Sequence, residues 1–306
     1  MSTKTQPSAG LVVAAFAAIY LIWGSTYLAI LIGLKTMPPF VMSGIRFSTA
    51  GAILILWRLA RGEKATTRPT LQNALAGVFM LFGGTGAVVW SEQHISSGMA
   101  AIIVASLPFW FVLLDFRQWA HNFSQKLVLA GIFIGFAGIL TLFGGDAGHF
   151  SEKTIFTILV LLLGCISWAG GSLYLKYHVN TQSSMMNAGV QMLAAGVFSI
   201  FFGWATGETK AFSFAAVSTE SWLGLAYLIS FGSLLGYLSY VWLLSVRPVV
   251  QVGTYAYVNP VVAVMLGWLF ANEPFSGRQL AALAVILAGV LLINLPKYKG
   301  LQLKTA

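Results

Sequence analysis

The stretch 255–264, YAYVNPVVAV, places an amide and a proline side by side in an otherwise apolar run. Proline has no backbone donor, so Pro260 frees the carbonyl of Ala256. Pro108, in ASLPFWF (105–111), frees that of Val104 in the same way. In hydrocarbon a freed carbonyl is tolerable only where protein or a wet cavity receives it. Asn259 beside one proline, and Ser106 and Trp110 beside the other, could complete a polar site there. Aromatic side chains add a second kind of chemistry. Tyr20, Trp23 and Tyr27 share one helical face, Tyr237 and Tyr240 another, and Trp168 and Tyr255 lie in comparable runs. Such rings suit stacking and cation–π contact with amphipathic solutes, although they also gather at membrane interfaces and between packed helices. Tyr255 and Tyr257 point nearly opposite ways on a helix, so at most one can face a cavity.

Two charges stand out against this background. Arg46 lies within an apolar run, where a charge costs about 2–3 kcal/mol on insertion scales. It either contacts a carboxylate, pairs with Glu92 or snorkels outward. Glu92, in WSEQHISSG (90–98), is placed to load and release a proton near a cavity mouth, or to serve as a solvated or helix-pairing residue. Asp115 sits near Arg117 as a local charge balance. Enzymatic chemistry has little to stand on. The chain lacks an HExxH zinc site, FGGD (143–146) lacks the first glycine of a GxGD protease motif, and no Ser–His–Asp set shares an evident depth. Neither a metal nor a cofactor is expected.

These residues must be positioned by membrane helices. The 306 residues are 58% hydrophobic and only 8% charged, too few charges to cover a soluble surface. Apolar runs predict spans at 9–34, 39–60, 71–91, 97–116, 125–144, 154–177, 184–205, 219–244, 250–271 and 278–295. The expected fold is an all-α integral membrane protein whose partner is the lipid bilayer. The net charge of +9 does not indicate nucleic acid, because the basic residues sit between spans. Of the 17 Lys and Arg residues, twelve fall on one side with both termini, four on the other, and Arg46 inside a span. Positive residues retained inside put both termini in the cytoplasm. Cys165 is the single cysteine, so no internal disulfide forms.

The halves align with each other. At an offset of 145, Trp23 meets Trp168 and Arg46 meets Gln191; at 152, Pro108 meets Pro260 and Ser124 meets Ser276. Five helices per half is an odd number, so the second half enters from the opposite face. This predicts two inverted five-helix repeats, 1–148 and 149–306, with a midplane site at paired helix breaks. Gly131 and Gly135, and Ala284 and Ala288, are spaced for close helix packing, within one chain or in a homodimer.

Six stretches in order resemble EamA-type exporters of the ten-helix drug/metabolite transporter superfamily. They are IWGSTYLAI (22–30), GIRFSTAG (44–51), SSGMAAIIVASLPFW (96–110), SWAGGSLY (167–174), YAYVNPVVAVMLGWLFANEPFS (255–276) and LAVILAGVLLIN (283–294). The resemblance implies a central cavity and ion-driven export of small metabolites such as amino acids or drug-like solutes, here with protons as the expected coupling ion, from a bacterial inner membrane. It names no substrate. An acid follows the fourth helix of the second half (Glu273), whereas the first half has His121 there. An uptake carrier, an intramembrane enzyme and a channel remain alternative readings; a channel is disfavoured by the absence of a repeated filter or ring of charges.

Overall fold

In hydrocarbon every backbone N–H and C=O must be paired within the segment, so apolar runs of this length form helices. The computed structural model describes residues 8–143, 151–178, 182–247, 252, 254–274 and 276–302. In chain order the helices are α1 (Ala9–Gly33), α2 (Pro39–Ala60), α3 (Thr67–Ser91), α4 (Ser97–Leu114), α5 (Lys126–Phe143), α6 (Glu152–Lys176), α7 (Ser184–Ala205), α8 (Thr219–Leu243), α9 (Tyr255–Ala271) and α10 (Gly277–Gln302). Among the described residues eight are long and apolar enough to cross a membrane, or nine if Phe116–Phe123 and α5, bent by 106°, are one span. α9, at 17 residues, is apolar but shorter. The expected linker at 144–150, the chain ends and residues 250, 251 and 253 of the expected ninth span lie outside the described residues.

Serine starts many of these helices. Ser8, Ser96, Ser151, Ser183 and Ser218 each accept a hydrogen bond from the amide three residues on, satisfying one of the donors a helix leaves open at its start. Acidic side chains finish the job across the bundle. Glu63, after α2, accepts from the Ser183 amide (2.9 Å) and hydroxyl (2.7 Å) at the start of α7. Glu208, after α7, accepts from the Phe40 (2.9 Å) and Val41 (3.2 Å) amides at the start of α2. The two caps are reciprocal, each helix's following acid capping the start of the other.

Large apolar side chains such as Phe133, Trp268 and Phe270 point outward, 61–73% exposed, as lipid-facing surfaces do. Neighbour relations repeat when helix numbers advance by five: α1 packs on α8 as α6 does on α3, and α1 on α9 as α6 on α4. α5 and α10 pair mainly with each other and pack on α4 and α9. A Cβ on Gly131 would lie 2.6 Å from the Gly289 carbonyl oxygen, and one on Gly289 2.6 Å from that of Gly131. Gly131 and Gly289 therefore pack against each other within one chain, while Ala284 and Ala288 are exposed.

Two helix irregularities match across the halves. α3 widens to π geometry over Val78–Thr85, and α8 over Leu228–Tyr237. No residue type announces a π turn, and the sequence reading missed both. The proline expectation needs correction. α4 breaks at Ala105–Ser106, with Pro108 at the second position of the following segment, Leu107–Leu114, where its missing donor costs no bond. α9 does not break at Pro260. It begins at Tyr255 and runs through the proline. Asn259 beside it, with its NH2 turned toward carbonyls, donates to the Tyr20 (3.1 Å) and Tyr255 (3.2 Å) oxygens, tying α9 to α1.

Candidate functional site

The bundle encloses a cavity of about 120 Å³ between the halves. Its wall draws on α1–α4 and α6–α9, whereas α5 and α10 contribute nothing to it. Both π segments reach it, through Leu81, Gly84 and Thr85 from α3 and Gly232, Ser233 and Tyr237 from α8. Glycine is needed at these approaches. A Cβ on Gly84 would sit 3.0 Å from Trp168, and one on Gly232 3.0 Å from the Arg46 guanidinium.

Of the residues singled out by sequence, Trp23, Tyr27, Arg46, Trp168, Tyr255, Asn259 and Pro260 line the cavity. Trp23 sits at the hub of the aromatic wall. Its ring is 6.2 Å from Trp168, edge-on, and 5.1 Å from both Tyr240 and Tyr255. Tyr240 is buried behind this layer, not in the wall. Tyr257 points elsewhere, accepting from Asn294 of α10 (2.8 Å). Ser106 and Trp110 also stay out of the wall. They bond to each other, indole to hydroxyl at 3.3 Å, beside the α4 break. Pro108 is likewise absent from the lining.

Arg46 is 6% exposed and does not pair with Glu92. Among the described residues the ion pairs are Lys35–Glu220, Arg58–Glu63 and Lys176–Asp115. Arg46 instead donates through Nε to Ser233 Oγ (3.0 Å) and lies 4.7 Å over the Phe47 ring. Its Nη1 has no partner. At the equivalent position of the second half, Gln191 is fully engaged. It donates to Asn73 Oδ1 (2.6 Å) and accepts from the Tyr237 hydroxyl; Asn73 in turn donates to Asn187 Oδ1 (3.0 Å). The two tryptophans differ in the same way. Trp23 Nε1 donates to the Gly232 carbonyl (3.3 Å), but Trp168 Nε1 is buried without a partner. Asn73, Gln191 and Ser233 were missed as site residues, although a polar side chain in an apolar run signals a partner.

Glu92 follows the end of α3 and is 4% exposed, so it is not a solvated rim residue. Neither carboxylate oxygen has a hydrogen-bond partner. Burial, and next the Glu273 carboxylate, hold its pKa well above the usual carboxylate range. It is itself outside the cavity lining. Glu273 has a defined task. Asn272, in the left-handed region at φ 50°, ends α9, and Glu273 then accepts from the Ser97 amide and hydroxyl (both 2.8 Å) at the start of α4. The side chain of His121, its counterpart, lies 3.0 Å from Gln125 Nε2 just before the next helix and is exposed. Asp115 balances Lys176 (2.7 Å) and the Tyr177 hydroxyl, not Arg117, which stacks on Tyr177 at 4.3 Å.

The chain matches the EamA-like transporter family twice, over residues 9–144 and 155–295. It is 40% identical over 287 residues to the uncharacterized inner membrane transporter YedA of Escherichia coli (strain K12), covering 93% of this chain and 90% of that one. It is 25% identical to the uncharacterized transporter YvbV of Bacillus subtilis (strain 168), over 91% and 90% of the two chains. A solved crystal structure superposes with a TM-score of 0.65 at 19% identity, covering 94% of this chain and 99% of that one; it supports the fold alone.

Proposed function

We propose, from the premise that this chain belongs to the EamA-like transporter family, that it is a secondary active transporter working by alternating access. In this reading it exports a small metabolite from the cytoplasm across a bacterial inner membrane, coupled to protons. That it is a multi-pass membrane transporter follows from the family, which sets the intramembrane enzyme aside.

One observation carries the finer reading. The cavity is walled by corresponding helices of both halves, and the wall includes both π segments and the α4 break. Carriers of this architecture bind at the junction of inverted repeats and rock one against the other. π turns and helix breaks weaken the ladder where such rocking must bend it. The reciprocal caps of Glu63 and Glu208 support the twofold relation of 1–148 and 149–306. The basic residues favour both termini in the cytoplasm, and the export direction rests on the family resemblance alone.

Glu92 is the proton-coupling group in this account. A carboxyl this deeply buried takes up a proton readily, and it gives that proton up when rearrangement wets it. The test is solute flux into proteoliposomes with and without an imposed pH gradient. Wild-type flux should follow the gradient, and Glu92→Gln should retain exchange while losing that dependence. Unchanged gradient dependence in Glu92→Gln would remove it from the coupling role.

A further inference from the structure

Arg46 and Trp168 turn an apolar aromatic cavity into one with a particular demand. The wall carries one charged side chain among the described residues, the Arg46 guanidinium, and no Asp, Glu, Lys or His lines it. A buried cation with no counter-ion is costly, and burial deepens that cost unless an anion arrives. Arg46 is nonetheless held in place, its Nε on Ser233 Oγ at 3.0 Å and its plane over Phe47. Its Nη1 donor is left over, and so is the Trp168 Nε1 donor of the same wall. Two orphaned donors are what an anionic oxygen pair uses. Arg in particular offers a planar fork that matches a carboxylate.

The rest of the wall speaks to the body of the ligand. Trp23, Trp168 and Tyr255 meet edge-on around the space. At about 120 Å³ it is of the order that takes a single benzene ring, roughly 150 Å³. A cationic head would meet Arg46 with no carboxylate in the wall to offset it. An ammonium group on a zwitterion would lack an acidic partner for the same reason.

From this we infer that the site accepts a small organic monoanion, a carboxylate or sulfonate on an apolar body of about one aromatic ring, with its oxygens on Arg46 and Trp168. The inference rests on the transporter reading only for the ligand's fate; the binding site stands or falls by itself. It narrows the substrate class away from organic cations and zwitterionic amino acids.

The experiment is binding to the full chain in nanodiscs, by calorimetry, with benzoate, benzamide, benzylamine and phenylalanine. Benzoate should bind about tenfold or more tighter than the other three, the worth of a charge-assisted pair. Arg46→Gln should lose about 10- to 100-fold for benzoate and little for benzamide. Trp168→Phe keeps an aromatic face while removing the N–H donor and the second ring, so it should lose about three- to tenfold for benzoate and less for benzamide, and it tests the site even if Arg46→Gln fails to fold. Benzylamine or phenylalanine binding as tightly as benzoate overturns the assignment, as does full benzoate affinity in Trp168→Phe. Flux is read with benzenesulfonate, which cannot cross as a neutral acid. Arg46-dependent binding with no flux would sustain the site and remove the transporter reading. Flux of other solutes untouched by Arg46→Gln would sustain the transporter and remove the anion site.

Discussion

Arg46 and Gln191 occupy equivalent places in the two halves, and they have opposite fates. Gln191 is saturated by protein, between Asn73 and Tyr237. Arg46 is anchored through Nε and left with a donor to spare. Trp23 and Trp168 repeat the contrast, one indole spent on Gly232 and the other unspent. Arg46 and Trp168 line the cavity, whereas Gln191 and its partner Asn73 do not. The saturated side holds the bundle together, and the unfinished side is where binding energy is still available.

The largest effect should come from pushing on the saturated side. A Cβ on Gly77 would lie 2.1 Å from the Gln191 carbonyl oxygen, a backbone atom that cannot turn away. Gly77→Ala should therefore cost about 3 kcal/mol, the upper end for overpacking, seen as a lower unfolding temperature in detergent. Next is Gln191→Leu, which strands the buried Asn73 amide and Tyr237 hydroxyl and should cost about 2 kcal/mol. Arg46→Gln should behave oppositely in the same melt. It removes an uncompensated buried charge, so stability should hold or rise while anion binding falls. Equal destabilisation by the two would break the comparison.

A smaller contrast lies at Glu273 and His121, the residues after the fourth helix of each half. Glu273→Ala removes the carboxylate cap of α4 and should cost about 1 kcal/mol. His121→Ala, on an exposed side chain, should stay within about 0.5 kcal/mol.

The smallest effect concerns pH. Burial alone would raise the Glu63 pKa, but the Ser183 amide and hydroxyl and the Arg58 guanidinium hold it below its ordinary value. A depressed acid binds fewer protons folded than unfolded, so its stabilisation is present above the unfolded pKa and fades as pH falls through the folded one. Glu208 is raised by burial, and its cap bonds from Val41 and Phe40 do not offset this. Its contribution is present in acid and fades as pH rises through the folded pKa. In melts over the acid range, Glu63→Gln should flatten the rise of stability with pH and Glu208→Gln should steepen it. Matching changes would mean that the two caps are equivalent after all.

Much of this was legible because hydrocarbon is a strict solvent. The apolar runs gave the spans, and charge asymmetry gave an orientation to propose. The cost of Arg46 in an apolar run marked it before any geometry was known, and the repeat offset put Trp168 opposite Trp23. What stayed hidden was pairing across distance. Ser233 as the partner of Arg46, and Lys176 as that of Asp115, join residues far apart in sequence, where local charge balance misled. The π segments were invisible because an i→i+5 bond needs no special residue. Proline marked a helix break in α4 but misplaced it, and in α9 it marked none, because the helix runs through Pro260 without a break.

Cys165 offers the most direct test of alternating access, since the chain's single cysteine is buried yet lines the cavity. A membrane-impermeant anionic thiol reagent would be applied to oriented vesicles from each face in turn, with and without benzenesulfonate. Labelling from either face, slowed by the anion, is the expected result. Labelling confined to one face under every gradient would contradict the account.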